Sequence, residues 1–570
     1  MFIAEKKSQI TDYRGKRNRG KIKGRIVDIN ALLEVQSLLG DESRARDLLI
    51  EHLHKIQDKY GYLSAAHLVA LASEMKLAPT EVYEVASFYH SFDVVKENDN
   101  APPALTVRVC ESVSCEMAGA EELISALESS LGKGVRVQRV SCVGRCDKAP
   151  VAVVGQNTID QASSDSVKVA VDGGRLTQPM PENSIDFDAY RASGGYQLYD
   201  KLLAGEISGD AIVAALEGTA LRGLGGAGFP VGIKWGILRD QPLPRIVAVN
   251  IDEGEPGTFK DRFYMLSDPH RMLEGMLIAA RVTDSGDCYI YVRDEYPSVL
   301  ENLRIAVEDL QNKSGYDLPK IELRRGAGSY MCGEESALIE SIEGKRGMPR
   351  LRPPYLAQVG LFGYPTLEHN CETLFWIRDV IEKGGAWFDS QGRNGRKGLR
   401  SFSVSGRVKN PGVHLAPAGI TIRELIDEFC GGMLDGHEFY GYFPGGASGG
   451  ILPASLSDIP LDFDTLQAYG CFIGSAGVIV LSDQDSARQL ALNSMKFFAH
   501  ESCGQCTPCR VGTGKAVGLM ETGDWDVDLL NDLSTVMMDA SICGLGQAAP
   551  NPMLSVIKYF PQELGLEENQ

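Results

Sequence analysis

Eight of the thirteen cysteines fall into two tight groups whose spacing suits iron-sulfur chemistry. In the first, Cys110 and Cys115 are separated by four residues and Cys142 and Cys146 by three, with 26 residues between the pairs. Each pair follows a predicted strand, VRVC and VQRVSC, which puts both on neighbouring loops at one end of a sheet. Four thiolates converging there match the ligand set of a [2Fe-2S] cluster. Structural zinc accepts the same ligands, but usually from two knuckles of similar spacing. The unequal spacing and the glycine in CVGRC favour a cluster, whose sulfides need room and backbone amides. In the second group, ESCGQCTPCR sets Cys503, Cys506 and Cys509 two residues apart, and Cys543 follows after 33 intervening residues in SICGLGQ. Three closely spaced thiolates hold three corners of a cubane and a distant one completes it, which suits a [4Fe-4S] cluster. A zinc site leaves the third consecutive cysteine unexplained. Cys288, Cys332, Cys371, Cys430 and Cys471 stand alone and read as buried small hydrophobes.

A second kind of chemistry is suggested by LRGLGGAGFP, where Gly223, Gly225, Gly226 and Gly228 let backbone amides approach a flat or anionic ligand without side-chain clash. Alone, such a loop is as readily a turn. Two segments accompany it. NIDEGEPGTFKDR follows the strand RIVAV, at the carboxyl end where open α/β sheets bind ligands. GAGSYMCGEESALIESIEG opens a helix with Glu334 and Glu335, a pair that also suits a helix amino-terminus irrespective of any ligand.

Several domains must position these segments, and 570 residues exceed what one hydrophobic core organises. Residues 1–29 read as a basic amino-terminal arm, with RGKRNRGKIKGR between Arg14 and Arg25. From Asn30 to Phe92 apolar residues recur at helical spacing. That helical layer, with the strand-helix-strand-strand run ending in APVAVVG, makes an α/β unit over 30–175. A polar linker, VDGGRLTQPMPENSIDFDAY, leads to a larger unit over 196–395. There the strands RIVAVNI and CYIYVR alternate with helices, the βαβ signature of a parallel sheet. Short strands and one helix predict a small α+β module over 400–485, and 486–570 returns to helical periodicity around the second cysteine group. The expected fold class is multidomain α/β.

The net charge of −19 argues against nonspecific nucleic-acid binding. No run of about 18 apolar residues predicts a membrane span, and the first residues lack the apolar core of a signal peptide. The expectation is a cytoplasmic protein that engages neither nucleic acid nor membrane.

With its C-x4-C and C-x3-C pairs preceded by the helical layer and YGYLS, the chain over about 30–160 resembles the thioredoxin-like [2Fe-2S] subunit of the electron-input module of respiratory complex I. On the glycine loop, NIDEGEPGTFKDR, the GEES segment and the second cysteine group, the chain from about residue 196 onward resembles the flavin-carrying subunit of the same module. The resemblance implies a thioredoxin-like [2Fe-2S] domain, a Rossmann-like FMN domain, a ubiquitin-like α+β module and a helical bundle with [4Fe-4S]. It implies hydride exchange between NAD(H) and FMN, and single-electron transfer through the clusters. By the same resemblance FMN is held by Gly223, Gly225 and Lys234, with Gly226 in the same loop, and by Asn250, Asp252 and Glu253. Glu255 faces the nicotinamide, while Tyr330, Gly333, Glu334 and Glu335 border flavin and dinucleotide. A carboxylate near the adenosine ribose repels a 2'-phosphate, so Glu335 points to NAD over NADP. Phe229 keeps a stacking aromatic. The chain departs from the family pattern at Leu224, where arginine is common, and at His369-Asn370, where a paired asparagine is common, followed by Thr373. Tyr355 and Arg352 stand for phenylalanine and lysine, and Ile237 for an aromatic.

Two such subunits in one polypeptide resemble the fused diaphorase chains of NAD-dependent formate dehydrogenases and of NAD-reducing hydrogenases. The overall match points to the formate dehydrogenase β subunit, serving a molybdenum- or tungsten-containing catalytic α subunit with further iron-sulfur clusters. A zinc-stabilised scaffold without redox function is the alternative of another class.

Overall fold

A computed structural model of the chain describes residues 25–181 and 183–566. Most of the basic arm expected over 1–29 lies outside the described residues. No helix among the described residues is long and apolar enough to cross a membrane.

The largest unit is built on four parallel strands in the order Thr366–Asn370, Arg245–Ile251, Ser285–Val292, Lys320–Arg325. RIVAVNI is buried at every position, as a parallel strand covered on both faces must be. Because side chains alternate across a strand, the faces divide cleanly. Val247, Val249 and Ile251, with Cys288, Ile290 and Val292, enter one core together with helix Pro269–Val282 and helix Pro297–Lys313. Ile246 and Ala248, with Tyr289 and Tyr291, enter another.

That second core is completed by the amino-terminal helices Ile29–Leu39, Leu49–Tyr60, Ala65–Met75 and Pro79–Ala86. The helical layer, adjacent in sequence to the thioredoxin-like sheet, thus covers the far face of the flavin-domain sheet. Polar contacts fix the docking. Arg324, 3% exposed, pairs with Asp47 at 2.8 Å and Glu51 at 3.2 Å. His54 Nε2 lies 2.7 Å from the carbonyl of Gly326.

The thioredoxin-like sheet runs Val135–Val140, Leu105–Cys110, Ala152–Val154, Asn157–Ile159, with the first two parallel and the others antiparallel. The last strand and helix Ser164–Asp172 lie beyond the strands evident in the sequence. The segment read as a linker ends in helix Phe187–Ala192, which buries Phe187 and Tyr190 in the flavin-domain core ahead of Tyr196. A five-stranded mixed sheet follows over residues 399–482. The last helices, from Ala487–Glu501 to Asn551–Tyr559, pack around one apolar core. The five solitary cysteines are buried.

Helix Pro269–Val282 approaches the helix Cys371–Phe375 at Gly275, where an added Cβ would overlap the Leu374 carbonyl. Backbone there has no rotamer with which to yield. Gly275→Ala should lower stability by about 1–3 kcal/mol, although alanine is the better helix former. Thermal denaturation of purified protein reads this as a lowered midpoint, and an unchanged midpoint would count against the packing described.

Candidate functional site

Strand order reverses between Arg245–Ile251 and Thr366–Asn370, the position where open α/β sheets leave a crevice. A cavity of about 580 Å³ occupies it. Asn250 and Asn370 are register partners on the two strands, and both line this space. Gly225, Gly226, Asp252, Glu253, Glu255, Tyr330, Gly333 and Glu334 line it as well. An added Cβ on Gly225 would stand only 3.0 Å from Asn370 Cβ, and Gly226 has φ +124°, so both positions favour glycine.

The carboxylates on the wall differ in what they do. Glu253 accepts from the amides of Asp261 at 2.9 Å and Arg262 at 3.2 Å and from Tyr296 at 3.0 Å, which ties the loop to the helix that follows it. Burial pushes its carboxyl up to about 8. Glu255 accepts from the Tyr330 hydroxyl at 2.5 Å and the Ser448 amide at 2.7 Å, and burial raises its pKa too. Glu334 accepts from the amides of Ser336 and Ala337, both at 3.0 Å, as the cap of helix Glu335–Ile342. Asp252 stands apart, for its Oδ2 is buried without a hydrogen-bond partner among the described residues. Burial holds its carboxyl well above the usual carboxylate range. Such an orphaned group facing a cavity fits a polar ligand that completes its bonding.

Several expected residues support the wall from behind. Gly223 closes the glycine loop by donating to the Phe229 carbonyl at 2.8 Å, and Thr373 Oγ1 accepts from the Leu224 amide at 2.9 Å. His369 accepts from Trp235 Nε1 at 2.8 Å, and burial drives its pKa well below the ordinary value. Lys234 donates to the Glu368 carbonyl at 2.6 Å and lies 3.7 Å from Glu335, which pairs in turn with Arg352 at 3.1 Å. Phe229 and Tyr355 are exposed, as is Ile237.

The sequence pattern did not single out Lys260, which looks like an ordinary lysine opening a helix. It is 1% exposed, lines the cavity and contacts Asp261 at 2.6 Å, Glu372 at 3.1 Å and Asn370 at 3.1 Å. Its burial opposes the charge, but these carboxylates outweigh that and hold it protonated. Only the fold brings its partners together.

The cysteine groups flank the cavity. Cys110 ends its strand in register with Val140, so Cys142 begins the adjacent loop. All four thiols of this group are buried, and Cys142 and Cys146 Sγ are 3.4 Å apart. Amides point at the sulfurs: Gly144 N lies 3.4 Å from Cys142 and Gly257 N 3.3 Å from Cys146. Such donors stabilise thiolates that ligate a cluster. Gly257 belongs to the cavity loop. On the other side, Cys503, Cys506, Cys509 and Cys543 share one core, and Gly544 and Leu545 beside Cys543 line the cavity. Cys506 and Cys543 stand at the amino-termini of helices Thr507–Met520 and Gly544–Ala548, an electropositive setting. Burial pushes the Cys509 and Cys543 thiols up to about 11, so ligation must supply the charge that deprotonates them.

Four family models match parts of the chain. A Nuo51 FMN-binding domain matches residues 216–379, a thioredoxin-like [2Fe-2S] ferredoxin 35–174, an SLBB domain 401–452, and an NADH-ubiquinone oxidoreductase-F iron-sulfur binding region 489–566. An NADH-quinone oxidoreductase F subunit of Rhizobium meliloti is 39% identical over 400 residues, spanning 67% of this chain and 94% of that protein. The chain belongs to the family of NADH-quinone oxidoreductase F subunits. The F subunit of Aquifex aeolicus is 40% identical over 394 residues, spanning 66% of this chain and 90% of its own length. Homology to the F subunits thus leaves the amino-terminal third to the ferredoxin match. A solved NAD+-reducing [NiFe]-hydrogenase in the H2-reduced state covers both parts. Its matching chain has 30% identity and a TM-score of 0.80, over 93% of this chain and 95% of that one. This member of the family therefore carries an FMN-binding domain, a [2Fe-2S] domain and a [4Fe-4S] domain, and the orphaned Asp252, the glycine cradle and the buried thiols fit those groups.

Burial favours the neutral form of the Asp252 carboxyl, whose hydrogen-bonding an amide keeps and a methyl loses. Asp252→Asn should keep FMN affinity within a few-fold, whereas Asp252→Ala should weaken it about tenfold, as expected for one lost buried hydrogen bond. Quenching of flavin fluorescence on titrating flavin-depleted protein measures both, and equal affinity for Asp252→Ala and wild type would refute the role.

Proposed function

We propose that this chain exchanges a hydride with NAD(H) at the cavity and relays single electrons through its two cysteine sites to a separate catalytic subunit. The observation that carries this reading is one cavity whose loop donates to Cys146 while its opposite wall abuts Cys543. FMN, when bound, supplies two-electron acceptance and one-electron release. The chain's own residues place and shield. Tyr330 and the Ser448 amide fix Glu255 in the wall, and Asn250 spans Gly333 and Glu368, at 3.0 Å each. Cys110, Cys115, Cys142 and Cys146 hold the [2Fe-2S] cluster, and Cys503, Cys506, Cys509 and Cys543 the [4Fe-4S] cluster.

Glu335, Arg352 and Tyr355 are the residues that would border the nucleotide. Glu335 there balances two cations, Lys234 and Arg352. Removing its charge leaves both to attract a 2'-phosphate, so Glu335→Gln should narrow the preference for NADH over NADPH by about tenfold in kcat/KM, or ~1.4 kcal/mol. Ferricyanide reduction with each nucleotide measures it, and an unchanged ratio would remove Glu335 from nucleotide selection.

The partner we favour is a molybdenum- or tungsten-containing formate dehydrogenase subunit, on the overall resemblance of the fused sequence. A hydrogenase partner is the second reading, supported by the near-complete coverage of the NAD+-reducing [NiFe]-hydrogenase chain. Copurification separates them. Molybdenum or tungsten with formate-dependent NAD+ reduction supports the first, and nickel with hydrogen-dependent reduction supports the second. A colourless preparation with stoichiometric zinc that NADH does not bleach would contradict both. A cytoplasmic location suits either partner.

A further inference from the structure

Arg293 is a buried cation shared by the cavity loop and the loop of the first cysteine group. It is 5% exposed. One terminal nitrogen donates to the Cys142 carbonyl at 2.7 Å, and the other to the Glu253 carbonyl. Its Nε donates to Glu295 at 3.1 Å, and its guanidinium lies 5.1 Å from the centre of the Tyr296 ring. Tyr296 presses so closely on Gly144 that any Cβ there would collide with its ring. Arg262 adds a second tie, donating to the Gly144 carbonyl at 2.9 Å and to Asp147 at 2.8 Å.

Glu295 answers part of the Arg293 charge, while the two carbonyls hold the guanidinium against the cysteine loop and the cavity loop. An electron entering the four-cysteine site adds negative charge among buried sulfurs, where screening is weaker than in bulk water. A fixed cation bonded to a ligand's own carbonyl stabilises that reduced state. Net charge and hydrogen bonding around the sulfurs are among the chief determinants of cluster potential.

We propose that Arg293 is a potential-setting residue, whose charge raises the reduction potential of the [2Fe-2S] cluster at Cys110, Cys115, Cys142 and Cys146 while Glu295 offsets part of that effect. The same side chain ties this potential to the cavity loop through Glu253. The proposal rests on those four cysteines being the cluster's ligands. The electron balance is that of NADH oxidation: the nucleotide yields NAD+, a proton and two electrons. One electron at a time enters this site, and no protein bond is made or broken.

Redox titration of the full-length holoprotein, followed by electron paramagnetic resonance, tests the pair. Arg293→Gln should shift the reduced-to-oxidised [2Fe-2S] ratio about tenfold toward oxidised at fixed potential, a midpoint ~59 mV lower. Glu295→Gln should move it the opposite way, by less because Glu295 is partly exposed. The [4Fe-4S] midpoint should stay in place in both. Shifts of the same sign in both variants, or none in either, would overturn the role and leave Arg293 a packing residue. Should Arg293→Gln not assemble, Arg293→Lys and Glu295→Gln decide, with an unmoved midpoint in Glu295→Gln counting against the proposal. A [2Fe-2S] signal that survives unchanged in Cys142→Ala would instead refute the ligand assignment beneath it.

Discussion

A parallel sheet has no face it can leave to water, and the organisation of this chain follows from that constraint. The four central strands bury one face under their own crossover helices and the other under the amino-terminal helical layer. Apolar burial worth roughly 1.5–3 kcal/mol per large side chain holds the two together. Arg324 and its carboxylate partners set where the layer seats. Once the layer is seated, the thioredoxin-like domain that follows it in sequence is tethered beside the carboxyl ends of the strands.

That tether explains why one loop serves two sites. Residues 252–262 form the cavity wall with Asp252 and Glu255 and, two residues later, present the Gly257 amide to Cys146. The loop keeps its shape because Glu253 is consumed internally, accepting from two amides and a tyrosine. Buried charges nearby are answered locally: Lys260 by Asp261 and Glu372, and Arg293 by Glu295. Unanswered groups are rare beside this cavity, which gives the unpartnered oxygen of Asp252 its significance.

The third part of the assembly, the carboxyl-terminal helices, meets the cavity from the opposite side. Tyr330 joins the two regions, donating its amide to Glu501 at 3.0 Å and its hydroxyl to Glu255 at 2.5 Å, with its ring against Phe497. The cavity is therefore walled by segments from distant parts of the chain. Joining the [2Fe-2S] and flavin units in one polypeptide, as the match to the hydrogenase chain also spans them, keeps those walls in register without a subunit equilibrium.

Cofactor chemistry was legible in the residues themselves. Cluster ligation depends on cysteine spacing, and the glycine loop and the carboxylate-rich segment were visible for the same reason, since their chemistry lies in residue type. The sequence also marked the strands RIVAVNI and CYIYVR, because their alternation with helices betrays a parallel sheet. It could not show that the helical layer covers the flavin sheet rather than its neighbour in sequence, because helical periodicity identifies a face to be buried without naming its partner. Nor could it separate Glu253, spent on backbone amides, from Asp252, left unpartnered one residue earlier. Nor did the sequence single out Lys260 or Arg293. Only the tertiary structure decided these points, since burial and pairing arise where distant segments meet, and it is there that the electrostatics of the site are set.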